Sequence, residues 1–193
     1  MKTINTKTGT LLFSIALLAG SCGVNSTKIL SQHELKPETE NVKYEKVKAG
    51  HRTFYSEIII DATPEQVWSV LTDFKNYSWS NTIKELTGDF KDGGTVNVVY
   101  YNDYEKEKTT TYTHVLKVID GQEFSWSDPF AGGMVDNHIY RIEDAGNGKT
   151  KFIQIDGCKG GATWMMGSAV SKYQLTNYPK FNRRLKAEVE KRY

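Results

Sequence analysis

The last stretch of the chain, residues 167–193, constrains the fold more than any other. Its apolar residues recur at steps of three or four, which is the pattern of one helical stripe. They are Val170, Tyr173, Tyr178, Phe181, Leu185 and Val189. Pro179 removes a backbone donor and predicts a kink or restart of the helix near residues 176–177. A stripe this long and aromatic needs a broad apolar surface to lie on.

Most of the chain between residues 53 and 159 is predicted to form strands joined by short turns. These segments are rich in β-branched and aromatic residues. They cover residues 53–60, 82–90, 95–101, 108–119, 123–127, 134–143 and 150–156. Val42, Tyr44 and Val47 alternate loosely and predict a short edge strand before them. Because short connections join antiparallel neighbours, we expect one curved antiparallel sheet around the final helix, with a pocket between them.

One or two short helices are expected after the first strand of this sheet. Thr63 is a suitable N-cap, and Pro64 fits the first turn of a helix. Val67, Leu71 and Phe74 would form the inner stripe of that helix. Further along the chain, residues 128–133 and 157–161 are predicted to be loops.

The first 21 residues are predicted to be a targeting segment. Lys2 and Lys7 precede an apolar run, residues 11–19, that is too short to span a bilayer comfortably. The small residues before Cys22 resemble the bacterial lipobox, whose cysteine becomes an acylated N-terminus. The alternative is an ordinary cleaved signal peptide followed by an incidental cysteine. Gly23 is not the Asp that retains some lipoproteins at the inner membrane, which favours an outer-membrane anchor facing the periplasm.

These patterns divide the chain into a signal peptide (1–21), a lipidated N-terminus with a polar spacer (22–52) and a folded domain (53–193). A chain that is 38% hydrophobic and 12% aromatic can bury a proper core. Of the 25 basic residues, two lie in the signal peptide, which leaves 23 basic residues against 23 acidic ones. A neutral mature protein gives no reason to expect a nucleic acid as partner.

The order of the predicted elements, with four local sequences, resembles the START-like superfamily, also called SRPBCC. The four are residues 60–74, the pair Tyr77 and Trp79, residues 138–142 with 148–150, and residues 181–188. This superfamily includes polyketide cyclase/dehydrase-like and lipid-transfer proteins. The resemblance covers residues 53–193 and implies an α+β helix-grip fold: a curved antiparallel sheet of about seven strands around a long C-terminal helix, with a cavity between them. Because this fold hosts both carriers and enzymes, it does not fix the function.

Strand alternation indicates which side chains face the interior of this fold. Interior-facing rings and imidazoles supply apolar area together with polar tips, so they are the candidate ligand-binding residues. They are Trp79, Tyr100, Tyr112, His114, Trp126, His138, Tyr140 and Phe181, with Trp164 in the wider aromatic set. The alternative is that the rings only fill the core and the histidines are buried groups bonded to their neighbours.

Patterns for other kinds of site are missing from the sequence. His114 and His138 have neither nearby thiolates nor a metal-binding spacing, and Asp136 does not complete a ligand set. Cys158 has no patterned partner that would make it a nucleophile. The sequence has no glycine-rich phosphate loop, nucleophile elbow or paired-carboxylate motif. We therefore predict no metal, no cofactor and no committed catalytic residue.

Three functions fit these observations. The first is an envelope lipoprotein that binds or carries a hydrophobic small molecule or lipid without catalysis. The second is a cyclase/dehydratase-like enzyme with His114 or His138 as general base, which requires a histidine beside a carboxylate in the cavity. The third is an interaction module whose exposed apolar patch binds another envelope protein, which the sequence does not identify.

Overall fold

A computed structural model of the protein describes residues 40–101 and 109–193, with the backbone alone at residues 130–131. The predicted signal peptide, Cys22 and most of the predicted spacer lie outside these ranges. The described strands are β1 (Glu40–Lys48), β2 (His51–Ile60), β3 (Ile83–Gly88), β4 (Thr95–Tyr101), β5 (Thr109–Val115), β6 (Lys117–Ile119), β7 (Glu123–Phe130), β8 (Met134–Gly146) and β9 (Lys149–Lys159). The described helices are α1 (Pro64–Leu71) and α2 (Thr163–Arg192), with short 3-10 segments at Phe74–Trp79 and Ala131–Gly133.

The strands form two antiparallel sheets. Six strands pair in the order β1-β2-β9-β8-β7-β6, and three pair in the order β3-β4-β5. Leu116, between β5 and β6, still exchanges backbone hydrogen bonds of 2.9 Å with Gly93 and Gly94. The chain thus passes from one sheet into the other at a single residue. The predicted α+β helix-grip class is confirmed, although the described residues form nine strands where about seven were expected.

Several strand boundaries differ from the predicted ones. The expected edge strand is present as β1, which pairs with β2 along nearly its whole length and lies within the segment predicted as spacer. The strand predicted at residues 108–119 is divided at Leu116. Strand β7 continues through residues 128–130 and β9 through residues 157–159, both of which were predicted to be loops.

Helix α1 begins as the sequence predicts. Thr63 Oγ1 accepts a hydrogen bond from the Gln66 backbone N–H at 3.4 Å, and Gln66 Oε1 accepts one from the Thr63 N–H at 2.8 Å. This reciprocal pair satisfies two donors that a helix start leaves without partners. Val67, Val70 and Leu71 are buried beneath the helix, which confirms the predicted inner face at Val67 and Leu71.

Helix α2 is longer and more polar on its buried side than predicted. It is one continuous helix with Pro179 inside it, so the expected restart near residues 176–177 is not present. The second half of the predicted stripe is confirmed, since Tyr178, Phe181, Leu185 and Val189 are buried. In the first half, Val170 and Tyr173 are only half-buried, and the buried positions include Ser171, Gln174 and Asn177.

Candidate functional site

The inner face of the six-stranded sheet changes from apolar to charged along the strands. At one end, Ile58, Phe152 and Ile142 are register partners on β2, β9 and β8. At the other end, one cross-strand row carries charged and thiol groups, and we call it the polar row. It consists of Arg52 on β2, Cys158 on β9, Asp136 on β8 and Asp128 on β7. The polar row lies by the first turns of α2, where Gly167 is in close contact with Arg52.

The eight candidate ligand-binding residues form one connected series, which we call the aromatic chain. Consecutive rings along it have centroids 4.2–6.2 Å apart. It runs from Trp79 through Phe181, Tyr140, His138, Trp126, His114 and Tyr100 to Tyr112. The structure therefore brings the eight predicted residues into one series, and ligand binding by them stays a prediction.

Two of the aromatic residues do not lie in the interior. Tyr112 is 44% exposed, which corrects the expectation that it faces inward, although its ring still touches those of Tyr100 and His114. Trp164, at the start of α2, is 67% exposed and does not belong to the aromatic chain. Trp126, His138, Tyr140 and Phe181 are buried.

His114 is held between a carboxylate and a phenol. Its Nδ1 lies 2.5 Å from Asp128 Oδ2, and its Nε2 lies 3.2 Å from the Tyr100 hydroxyl. Because a carboxylate only accepts, Nδ1 carries the proton, and in the neutral imidazole Nε2 accepts from Tyr100. Burial raises the pKa of Tyr100, so its hydroxyl stays protonated. The sequence analysis missed Asp128 because residues 128–133 were predicted to be a loop.

His138 is enclosed between aromatic rings. Its ring stacks between Tyr140 and Tyr178 at 4.2 and 4.7 Å, and its Nε2 donates to Gln154 Oε1 at 3.0 Å. Burial lowers the pKa of His138 and favours the neutral imidazole. Gln154 in turn donates to Asn182 Oδ1 on α2 at 2.5 Å, so this polar network joins the sheet to the helix.

A pair of carboxyl groups lies beside His138 and was absent from the sequence prediction. Asp156 Oδ2 accepts hydrogen bonds from Gln174 Nε2 at 2.9 Å and from the Tyr178 hydroxyl at 2.5 Å. Burial alone would raise the pKa of Asp156, but the hydrogen bond from Asp136, the nearby His138 and the two donors of α2 lower it on balance. Burial and the charge of Asp156 raise the pKa of Asp136. The opposite directions of these two pKa shifts favour a proton on Asp136 and a charge on Asp156.

The signal for this pair was present in the sequence but is weak. Alternation along β9 places Thr150, Phe152, Gln154, Asp156 and Cys158 on one face, and Asp136 lies on the inner face of β8. A motif search cannot find the pair, because it is made by strand register between residues 20 positions apart.

The remaining predicted features are structural in character. Cys158 is buried against Met134 and Thr163, and burial raises the pKa of its thiol. Within residues 40–101 and 109–193, no three His, Cys, Asp or Glu side chains are grouped to hold a metal ion. None of the helices in the same ranges has an apolar stretch long enough to cross a membrane.

A protein-family comparison identifies the family of this chain. The model for polyketide cyclase/dehydrase and lipid transport matches residues 51–190. The chain belongs to this family. The polyketide cyclase/dehydrase and lipid transport family has a START-like, ligand-binding fold, and its membership confirms the resemblance seen in the sequence. No functionally curated protein matches the chain.

Solved structures show the same fold at low sequence identity. A protein from Rhodobacter sphaeroides is 15% identical, with a TM-score of 0.58 over 78% of this chain and 99% of its own. A START superfamily protein from Mycobacterium smegmatis is 17% identical, with a TM-score of 0.57 over 75% and 100%. The Zhui aromatase/cyclase from Streptomyces sp. R1128 is 15% identical, with a TM-score of 0.55 over 74% and 95%.

Proposed function

We propose that this domain binds and carries a hydrophobic small molecule or lipid, without catalysis, against the inner face of the sheet. The observation that carries the proposal is the aromatic chain, which crosses the interior from Trp79 to Tyr100 and meets polar groups at one end. If this region served only to stabilise the fold, aliphatic side chains would be expected at its polar end in place of the paired carboxyls and imidazoles. An apolar wall with a few convergent polar groups is the usual composition of a small-molecule site.

The position of α2 supports this proposal. Its backbone runs most closely along β2, with further approaches to α1, β9, β1 and the 3-10 segment at Phe74–Trp79. Strand β7 of the six-stranded sheet and strands β4 and β5 of the three-stranded sheet come less close to the backbone of α2. Tyr140 reaches the helix across this distance, with its ring centroid 5.8 Å from that of Phe181, and Trp126 packs against Tyr140 at 5.4 Å. In this proposal a ligand enters between the helix and these strands at the Tyr100 end, where the neighbouring Tyr112 is exposed.

Native mass spectrometry and fluorescent-lipid titration test the proposal. The protein is purified under mild conditions to detect a copurifying ligand, then delipidated and titrated with a fluorescent fatty acid. We expect saturable uptake, reduced about tenfold by Tyr100→Ala because a ring of the lining is lost. Tyr101→Ala is the matched control, since neighbouring residues of a strand point to opposite faces. No copurifying ligand together with no saturable uptake would overturn the proposal.

A second candidate, an enzyme of the cyclase/dehydratase kind, is favoured by the His114–Asp128 pair. The carboxylate fixes the tautomer so that Nε2 is the basic nitrogen of His114. Nε2 accepts from the Tyr100 hydroxyl, and a substrate hydroxyl would have to replace that phenol for Nε2 to act as general base. Its test is the mass of a bound ligand before and after incubation. A change of mass with the wild type and with His138→Gln, but not with His114→Gln, would favour the enzyme over the carrier. An unchanged mass in all three favours the carrier.

We also propose that the domain is anchored in the bacterial envelope through Cys22. This rests on the lipobox-like sequence before that residue. Acylated N-terminal cysteine carries several chains, which anchors a protein durably. Cys22→Ser should move the protein from the membrane to the soluble fraction, whereas Cys158→Ser should leave it in the membrane. A wild-type N-terminus that is unmodified and soluble would exclude the anchor.

A further inference from the structure

The carboxyl pair has a feature that the carrier proposal does not use. Asp156 Oδ1 is buried, and none of the described amide, hydroxyl or cationic groups donates a hydrogen bond to it. Asp136 lies diagonally across the β8–β9 pair from Asp156, and its carboxyl proton interacts with the Asp156 carboxyl. A buried carboxylate oxygen usually has a donor of its own. Apart from the exchangeable proton of Asp136, Asp156 Oδ1 therefore has no donor among the described residues.

The charges around this position have an acidic excess. Asp128, Asp136 and Asp156 converge there, and Asp128 is bonded to His114. Arg52 is the cation of the polar row, but its Nη1 donates to the Tyr44 hydroxyl at 2.6 Å and its guanidinium lies over Gly167 of α2. Arg52 is thus directed towards β1 and the helix rather than between the carboxyl groups. An anionic ligand group would be repelled here, and a cation would be attracted.

We propose that the ligand carries a protonated amine on an apolar body, and that its ammonium group binds between Asp136 and Asp156. This inference rests on the proposed carrier function. The ammonium replaces the proton of the Asp136–Asp156 pair and donates to Asp156 Oδ1 in its place. In the binding step the Asp136 carboxylic acid and the ammonium give an ion pair and one released proton. The apolar body then lies along the aromatic chain.

The groups that could disturb this exchange come from seven strands and α2. They are Arg52 and Tyr44 near β2 and β1, Tyr100 of β4, His114 of β5, Asp128 of β7, His138 of β8, Asp156 and Cys158 of β9, and Tyr173 and Tyr178 of α2. Between pH 6 and pH 8 an alkylamine is charged, while Asp136 holds its proton in the free protein. Binding should therefore strengthen about tenfold per pH unit in this window, as one released proton requires.

Isothermal titration calorimetry with decylamine, decan-1-ol and decanoate, below their micelle concentrations, tests the inference. We expect decylamine to bind about tenfold or more tightly than decan-1-ol at pH 8, and decanoate to bind most weakly. Titrations in buffers of different ionisation enthalpy should show about one proton released with the amine and none with the alcohol. This second readout uses the wild type alone, so it does not depend on a variant that folds.

Asp136→Asn retains a donor for Asp156 but cannot ionise. It should lose the preference for decylamine, the proton release and the pH dependence, while binding of decan-1-ol is retained. Asp89→Asn, at an exposed surface pair with Lys91, should behave as wild type. Equal or tighter binding of the alcohol would overturn the amine inference and leave the carrier proposal standing. Failure of all three probes would overturn the carrier proposal itself.

The amine could belong to a lipid or to a free metabolite, and vesicles distinguish these sources. Extraction of phosphatidylethanolamine from mixed vesicles, in preference to phosphatidylglycerol, would identify an amine-bearing lipid headgroup. Binding of decylamine with no extraction from vesicles would identify a free amine. Preferential extraction of phosphatidylglycerol would contradict the inference.

Discussion

Gly167 shows how closely α2 approaches the sheet at the level of single atoms. A Cβ built at this position would lie 1.9 Å from Arg52 Nε and 2.5 Å from Arg52 Cδ. The Arg52 side chain is buried and hydrogen-bonded to Tyr44, so it cannot move aside freely. A glycine inside a helix normally costs about 1 kcal/mol relative to Ala. At residue 167 the absence of a side chain permits the contact between the first turns of α2 and β2, which is why glycine is present despite this cost.

Gly167→Ala should therefore destabilise the protein although it improves helix propensity. We expect the free energy of unfolding to fall by about 1–3 kcal/mol, as for other overpacked sites. Urea denaturation followed by circular dichroism measures this change. Ser168→Ala, at the next and exposed position, is the control and should stay within about 0.5 kcal/mol of wild type.

A double mutant distinguishes overpacking from other causes. In an Arg52→Ala background the added Cβ has no guanidinium to meet, so Gly167→Ala should become neutral or stabilising. If Gly167→Ala destabilises both backgrounds equally, the close approach to Arg52 is not the reason for the glycine.

Residue-level prediction from the sequence worked where a strand is covered on its inner face. Period-two alternation correctly placed Trp126, His138 and Tyr140 inside, because β7 and β8 are central strands opposite α2. It misplaced Tyr112 because β5 is the edge of the three-stranded sheet, and only its end at His114 reaches beneath β7. Alternation gives the face of a residue, whereas burial depends on what covers that face.

At the level of elements, the sequence located the strands but not their ends. Asp128 and Pro129 were predicted to form a loop, because Asp-Pro is a common turn. Strand β7 accepts Pro129 because β6 pairs only with residues 123–125, which leaves an open edge where a missing N–H costs little. Strand β9 similarly continues to Lys159 because β2 begins at His51 and pairs with it there. The ends of β7 and β9 are therefore determined by the strands that pair with them, and a local sequence pattern does not identify those strands.

The start of α1 is an element that local sequence determines fully, and it yields a direct prediction. Thr63→Ala removes the hydroxyl that accepts from Gln66 N–H and should lower the free energy of unfolding by about 1 kcal/mol. Thr63→Ser keeps the hydroxyl and should cost only a few tenths of that. Thermal or urea unfolding of the two variants measures the difference. Equal stability of Thr63→Ala and wild type would mean that Pro64 and the buried face alone hold this helix.

At the scale of the whole molecule, the interior combines an apolar end with a polar one. The apolar end contains Leu71, Leu185 and Val189, which belong to the buried hydrophobic core. The polar end contains the Asp136–Asp156 pair. Burial of this pair opposes folding when both carboxyl groups are ionised. The family resemblance predicted the sheet and the helix that surround this interior. It could not predict the carboxyl pair, because the pair arises from the strand register of this chain.

The carboxyl pair gives the stability of the protein a particular dependence on pH. In the unfolded chain Asp136 ionises near pH 3.9, whereas its pKa in the folded protein is raised by burial and by Asp156. Above about pH 4 the folded protein thus holds one proton more than the unfolded chain at this position. The contribution of Asp136 to stability is complete below that pH and is lost as the pH rises. The lowered pKa of His138 acts oppositely, because its contribution is lost as the pH falls below about 6.5.

Asp136→Asn removes the pH dependence of stability that is due to Asp136 and leaves the one that is due to His138. The free energy of unfolding of the variant, relative to wild type, should therefore increase from pH 5 to pH 8, by at most about 1.4 kcal/mol per pH unit for one proton. Urea unfolding followed by tryptophan fluorescence at pH 5, 6.5 and 8 measures this difference, and Asp89→Asn should show none of it. Because His138 and the surface groups are common to both proteins, their titrations cancel in the comparison. A difference that stays constant with pH would mean that Asp136 is ionised in the folded protein, and the shared proton, with the exchange proposed for an ammonium ligand, would be excluded.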